Sequence, residues 1–516
     1  MQLLNVDELQ YSPNIEKIDL KGCLELQSFP DTGQLQHLRI VDLSTCKKIK
    51  SFPKVPPSIR KLHLQGTGIR DLSSLNHSSE SQRLTRKLEN VSSSNQDHRK
   101  QVLKLKDSSH LGSLPDIVIF ESLEVLDFSG CSELEDIQGF PQNLKRLYLA
   151  KTAIKEVPSS LCHHISKLVK LDMENCERLR DLPMGMSNMK YLAVLKLSGC
   201  SNLENIKELP RNLKELYLAG TAVKEFPSTL LETLSEVVLL DLENCKKLQG
   251  LPTGMSKLEF LVMLKLSGCS KLEIIVDLPL NLIELYLAGT AIRELPPSIG
   301  DLALLDTLDL KNCNRLRHLP MEMHNLNPLK VLDLSNCSEL EVFTSSLPKV
   351  RELRPAPTVM LLRSKLPFCF FIFYEHRVTL SLYKARLQYI PEEIRWMPSL
   401  KTLDLSRNGF TEVPVSIKDF SKLLSLRLRY CENLRSLPQL PRSLQLLNAH
   451  GCSSLQLITP DFKQLPRYYT FSNCFGLPSH MVSEVLANAP AIVECRKPQQ
   501  VFLFLSIYIS YIRTVQ

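Results

Sequence analysis

The sequence predicts an α/β repeat solenoid, a stack of short coils built around one continuous core. Three observations predict it. The stretch NLKELYLAGTAVKEFP from Asn212 recurs as NLKRLYLAKTAIKEVP from Asn143 and as NLIELYLAGTAIRELP from Asn281. These copies share the pattern L-x-x-L-x-L-x-x-T-x-h-x-x-h-P (h is apolar), and the units between them carry cysteine where the copies carry threonine, as in YLAVLKLSGCSNLENI from Tyr191. That ninth position then returns about twenty times, mostly at intervals of 21 to 24 residues. Self-similarity at such a period means one strand and one return segment per coil, each burying its apolar face against its neighbours.

The pattern is the leucine-rich-repeat signature. It implies a curved leucine-rich-repeat horseshoe, with a parallel concave β-sheet and short 3₁₀ or extended convex segments. Within a unit, the fourth and sixth positions are apolar and alternate with polar ones, as in a half-buried strand. Leu216 and Leu218 therefore point inward, while Glu215, Tyr217 and Ala219 point out. Coils paired in parallel at about 4.8 Å would give an inner arc of roughly 95 Å.

A turn follows each strand. The ninth side chain there points inward and can satisfy peptide groups that would otherwise be buried unpaired. These rungs run Cys23, Cys46, Thr67, then Ser108, Cys131, Thr152, then Cys176, Cys200, Thr221. They continue Cys245, Cys269, Thr290, then Cys313, Cys337, Thr358, and finish less regularly at Ala385, Asn408, Cys431, Cys452 and Cys474. Cys131, Cys200 and Cys269 stand 69 residues apart, so the chain carries a higher-order period of three coils. The return leg carries Leu-x-x-Leu-Pro, as in Leu179 to Pro183. Proline lacks an N–H and favours extended or turn geometry, which suits short 3₁₀ segments. The longer unit PSTLLETLSEVV after Phe226 has room for a helical turn.

The solenoid is expected over residues 1–477 as about twenty coils. Residues 73–99, polar and serine-rich, read as a loop inserted on one coil. An irregular aromatic stretch, 359–377, contains KLPFCFFIFYEH from Lys365 and is too short to span a membrane. Residues 478–500 start a post-repeat region in which SHMVSEVLANAPAIVE can form a short helix. The apolar tail 501–516 matches nothing before it.

The chain has 516 residues, 43% of them hydrophobic, and a net charge of +8 spread over mixed signs. No Lys/Arg run stands out, which argues against nucleic acid. Twelve of the fifteen cysteines occupy rungs. Side chains at one repeat position share one buried layer, so they act as small interior groups and favour a reducing compartment, the cytoplasm or nucleus. No basic region followed by an apolar core opens the chain, so no signal peptide is read.

Chemistry is sparse. No phosphate-binding glycine loop, G-x-S-x-G elbow or H-E-x-x-H is present. His163 and His164 after Cys162 have no partner cluster at ligand spacing and read as a solvated loop. Neither an enzymatic constellation nor a cofactor or metal site is expected. The rungs Cys131, Thr152, Cys176, Cys200, Thr221, Cys245, Cys269, Thr290, Cys313, Cys337 and Cys431 read as a structural ladder.

The candidate site is the concave face. Its central column includes Tyr148, Asp172, Lys196, Tyr217, Asp241, Lys265, Tyr286, Asp309, Asp333, Arg354, Asp404 and Arg427, flanked by Arg146, Glu215 and Glu284. Asp172 should lie beside Lys196, and Tyr217 beside Asp241. Tyrosine supplies contact area and charge supplies selectivity, so the face suits a protein partner. Cross-strand ion pairs also keep a sheet soluble, and for any single residue that plainer role competes with binding.

The blocks LDFSGCSELEDI, LKLSGCSNLENI and LKLSGCSKLEII, the LPxNLxELYLAGTAIxELP units and the closing YYTFSNCFGL closely resemble one family. It is the repeat region of the plant TIR-NB-LRR disease resistance proteins of the cabbage family. The resemblance covers about residues 1–490. It implies a sensor module that binds a pathogen effector or a guarded host protein, or holds NB or TIR switch domains inactive in cis or in trans. No residue here matches the TIR or nucleotide-binding domains that precede the repeats in that family, so the chain reads as a truncated receptor. The family's NAD-cleaving and nucleotide-switch activities map to no position. A generic intracellular scaffold or substrate adaptor is the alternative. An extracellular ectodomain would want asparagine at most rungs, and only Asn408 fits.

Overall fold

The computed structural model describes residues 11–70, 101–114, 123–157, 161–340, 379–390, 399–459 and 466–487, apart from single positions at 52, 54, 57, 138, 163, 164, 166, 327 and 467. The polar stretch 73–99, the aromatic stretch 365–376, His163, His164, Arg354, Thr358 and the tail 501–516 lie outside them. Two compact units divide the chain: Met1–Leu248 with Lys257–Leu261, and Gln249–Ser256 with Val262–Gln516.

Among the described residues, the first unit contributes ten strands to the main parallel ladder, one per coil: Lys17–Asp19, Ile40–Asp42, Lys61–His63, Gln101–Lys104, Leu123–Asp127, Arg146–Tyr148, Lys170–Asp172, Val194–Lys196, Glu215–Tyr217 and Leu239–Asp241. Each pairs in parallel with the next in sequence order. The second contributes nine described ladder strands: Met263–Lys265, Glu284–Tyr286, Thr307–Asp309, Val331–Asp333, Thr379–Ser381, Thr402–Asp404, Ser425–Arg427, Leu446–Asn448 and Tyr468–Thr470. They pair in the same way. The strands are short because only the L-x-L segment alternates. Leu147, Leu171, Leu195, Leu216 and Leu240, the middle residues of successive strands, are completely buried.

A second feature fixes each coil. The residue before every described rung has a left-handed backbone, for example Gly199 (φ 79°), Gly220 (φ 69°), Asn244 (φ 57°) and Asn312 (φ 61°). Glycine and asparagine tolerate that conformation, which turns the chain inward so that the rung enters the core. At Gly199 a Cβ would also collide with the Asn175 amide of the preceding coil.

Return legs are short, as the prolines require. Met186–Asn188, Met255–Lys257, Pro297–Asp301, Met321–Asn325 and Val415–Asp419 are 3₁₀ turns. Pro296, Pro320 and Pro414 sit extended before the last two-residue-longer turns of this group, with φ near −65°, −65° and −61°. The roomier unit after Phe226 holds the α-helix Thr229–Thr233, and the post-repeat segment holds a helix over Ser479–Ala487.

Strand Val331–Asp333 pairs directly with Thr379–Ser381, and Asn336 N–H reaches the Tyr383 carbonyl at 2.7 Å. The expected positions at Arg354 and Thr358 lie outside the described residues. Among the described residues, no helix is long and apolar enough to cross a membrane.

Candidate functional site

The ladder shows how the rungs work. Cysteine thiols donate back to a carbonyl of the preceding coil: Cys131 to Leu105 at 3.2 Å, Cys176 to Leu149 at 3.1 Å, Cys200 to Met173 at 3.2 Å and Cys245 to Leu218 at 3.2 Å. In the second unit, Cys313 reaches Leu287 and Cys337 reaches Leu310, both at 3.1 Å, and Cys431 reaches Leu405 at 3.3 Å. Threonine instead turns to its own coil. Thr152, Thr221 and Thr290 each donate to the carbonyl three residues back at 2.8 Å. The carbonyls of Leu149, Leu218 and Leu287 thus accept from a threonine and from the next coil's cysteine. Asn408 serves both directions, donating to Leu382 and Leu405 at 2.9 and 2.7 Å. None of the thirteen described cysteines is in a disulfide, and Cys269 is as deeply buried as its neighbours. Burial pushes the Cys131 and Cys200 thiols up to about 12. These are interior groups, not nucleophiles.

The opposite side of the sheet carries the candidate residues. In the first unit the register sets Arg146 beside Lys170, Tyr148 beside Asp172, Lys196 between Asp172 and Tyr217, and Tyr217 beside Asp241. The Lys196 ammonium pairs with Glu174 at 3.1 Å, not with Asp172, and lies 4.9 Å from the Tyr217 ring centre. The Tyr217 hydroxyl donates to Glu215 at 3.0 Å. Burial, and then the Glu215 hydrogen bond, push that phenol up to about 12, so it stays a donor. Lys170 lies 5.3 Å from the Tyr148 ring. In the second unit Lys265 lies 5.9 Å from the Tyr286 ring, whose hydroxyl donates to Glu284 at 2.6 Å. The Lys–Tyr–Glu arrangement therefore occurs once in each unit.

The aspartates have a different job from the one their column suggests. Each accepts from the backbone N–H two residues on: Asp172 from Glu174 at 3.2 Å, Asp241 from Glu243 at 3.0 Å, and Asp309 from Lys311 and Asp333 from Ser335, both at 2.9 Å. Asp404 does the same with Ser406 at 3.0 Å and also faces Arg427 at 3.8 Å. This local side-chain-to-backbone turn holds the loop that leads to the rung. Asp172 and Asp241 are only 8% exposed as a result. Burial raises the carboxyls of Asp172 and Asp309 above the usual range. Lysine and tyrosine occupy the column mainly where Ser-Gly or Ala-Gly follows, and there the glycine makes the turn unaided.

The Tyr430 cluster of the second unit was not visible as a site. Its only signal is a long side chain where other coils carry glycine or asparagine. Among the described residues, no group of three or more His, Cys, Asp or Glu could hold a metal ion.

A parallel ladder of short strands, inward leucines and a thiol-and-hydroxyl rung in each coil define a leucine-rich-repeat solenoid. A Leptospira interrogans LRR protein of known structure matches with a TM-score of 0.54 at 19% identity, over 94% of this chain and 98% of that one. At that identity the likeness is one of fold. Residues 272–477 match the family described as "Disease resistance protein RPS4B-like, leucine-rich repeats". Disease resistance protein RRS1 of Arabidopsis thaliana is 46% identical over 244 residues, which is 44% of this chain and 17% of that protein. TMV resistance protein N of Nicotiana glutinosa is 29% identical over 371 residues, 69% of this chain and 26% of that protein. The matched repeats are similar to those of plant disease resistance proteins, and the chain spans 17% of the length of RRS1 and 26% of that of protein N.

Proposed function

We propose that this chain is a non-enzymatic protein-recognition module of an intracellular plant immune receptor of the TIR-NB-LRR kind. Its partner is a pathogen effector, a guarded host protein or a receptor's own switch domains. The observation that carries this reading is the Lys–Tyr–Glu arrangement on the open face of each unit, Lys196–Tyr217–Glu215 and Lys265–Tyr286–Glu284. A tyrosine fixed by a neighbouring carboxylate and flanked by an ammonium offers a rigid apolar ring with a polar rim. It loses little side-chain entropy on binding, which is what hot-spot residues need. The buried thiols support a reducing compartment.

The test is a binding screen of the whole chain against secreted pathogen proteins and against isolated nucleotide-binding and TIR domains. Tyr148→Ala, Tyr217→Ala and Tyr286→Ala are screened beside it. Loss of a hot-spot tyrosine should weaken a true partner by about 2 kcal/mol, roughly thirtyfold. A partner whose affinity none of the three changes would contradict the reading.

A further inference from the structure

In the second unit, the edge at the C-terminal ends of the strands differs from the same edge elsewhere. Three successive coils, those of Ala385, Asn408 and Cys431, place Lys384 (φ 54°), Arg407 (φ 59°) and Tyr430 (φ 55°) in the left-handed position before the rung. Arg386 follows in the same conformation (φ 57°). Elsewhere long side chains in this position are single and scattered, as at Lys151, and glycine or asparagine dominates. A side chain in left-handed backbone carries strain that glycine would relieve, and strain held through consecutive coils points to use.

The side chains are arranged around one feature. Lys384, Arg386, Arg407, Tyr430 and Glu432 line a shallow pocket of 410 Å³. The Tyr430 ring lies over Gly451, where a Cβ would collide with it. Its hydroxyl is 3.1 Å from His450 Nε2, and His450 Nδ1 is 2.6 Å from the Ser472 hydroxyl. The Arg407 and Arg429 guanidinium carbons stand 4.5 and 5.8 Å from the ring centre. Among the described residues, Lys384, Arg386, Arg407 and Arg429 form no ion pair, and Glu432 is the one acid on the pocket wall. The pocket at the corresponding edge of the first unit, beside Thr221, is different: its Lys247 is already held by Glu204 at 2.8 Å.

We propose that this edge docks a short acidic segment of a protein partner, with carboxylates meeting Lys384, Arg386 and Arg407 and a flat side chain or peptide lying on Tyr430. Coils about 4.8 Å apart set the cations in a row, and an extended peptide returns side chains to one face about every 6.6 Å, so two or three carboxylates span the three coils. Glu432 on the wall and Asp404 on the adjoining sheet face disfavour a long polyanion. The proposal does not depend on the open face of the sheet.

The test uses the whole chain and a fluorescein-labelled Gly-Glu-Gly-Glu-Gly-Glu-Gly peptide, read by anisotropy at low salt. The peptide should bind, and Arg386→Asn with Arg407→Asn should weaken it roughly tenfold, because each removes a charge contact. Asparagine accepts left-handed backbone, so the melting temperature of that variant should hold or rise while binding falls. Glu432→Gln should tighten binding, and Lys246→Asn in the first unit should leave it unchanged. Failure of the peptide to bind, or equal binding by the double asparagine variant, would overturn the proposal. Tripolyphosphate or hexathymidylate bound more tightly than the peptide, and lost in the same variant, would assign the edge to a phosphate-bearing ligand and overturn it equally.

Discussion

At the rungs, cysteine and threonine divide the work by reach. A thiol extends far enough to bond the carbonyl one coil back, while a threonine hydroxyl closes on its own turn. Cys200→Ala takes from the buried Met173 carbonyl one of its two donors, leaving the Cys176 N–H at 3.3 Å, and should cost about 1 kcal/mol in a thermal or denaturant melt. Cys200→Thr should recover part of that by bonding Leu197, as Thr221 bonds Leu218 at 2.8 Å. Equal loss in both variants would show that packing, not the hydrogen bond, matters there. The same thiols set the alkaline limit. An unfolded thiol titrates at roughly 8.5, whereas Cys131 and Cys200 are held up at about 12 when folded. The unfolded chain therefore loses its protons first. The thiols' contribution to stability should be constant below about pH 8.5 and fall from there towards 12. A melting temperature unchanged between pH 8 and 10.5 would contradict this. The rung itself was legible because C and T recur at one spacing. The role of the aspartates was not, since an i to i+2 carboxylate-to-backbone bond leaves no periodic trace that separates it from an exposed charge.

At the scale of the coil and the three-coil block, the 69-residue period has an electrostatic counterpart on the return side. Glu135 holds Lys155 and Arg178, and Glu204 holds Lys224 and Lys247, each glutamate bridging the two coils that follow it. Glu273 repeats the arrangement in the second unit with Arg293 and Arg315. The Lys247 and Lys224 ammonium groups hold the Glu204 carboxyl well down, to about 2. Its contribution is present above the ordinary glutamate range and is lost as pH falls towards 2. Glu204→Gln should lower the melting temperature at low ionic strength, and the difference from the parent should vanish near 1 M salt, where screening acts within about 3 Å. A difference that survives high salt would mean the glutamate acts through packing.

Lys151 occupies the left-handed position filled by Gly220 and Gly289 in the next two blocks, with φ 59°. Lys151→Gly should therefore stabilise by about 0.5–1 kcal/mol in the same melt, against the usual cost of glycine. Strand positions were readable here because L-x-L alternates in every unit. The rung expected at Thr358 lies outside the described residues. The Glu staples were passed over because their charges are contiguous only in space.

At the scale of the molecule, each unit repeats one economy. Leucines and thiols face in, and a strip of tyrosine, lysine and carboxylate faces out. What the sequence could show of that strip was its column; what it could not show was which members are committed elsewhere. Asp172 and Asp241 are spent on turns, which leaves the Tyr–Lys–Glu sets as the exposed, rigid part of the face. Hydroxyl-radical footprinting of the chain with and without a bound partner tests this most directly. The account predicts protection of Tyr148 and Tyr217, or of Tyr286, with the return-leg residues Met184 and Val415 oxidised as before. Protection confined to the return legs, with all three tyrosines as reactive as in the chain alone, would contradict it.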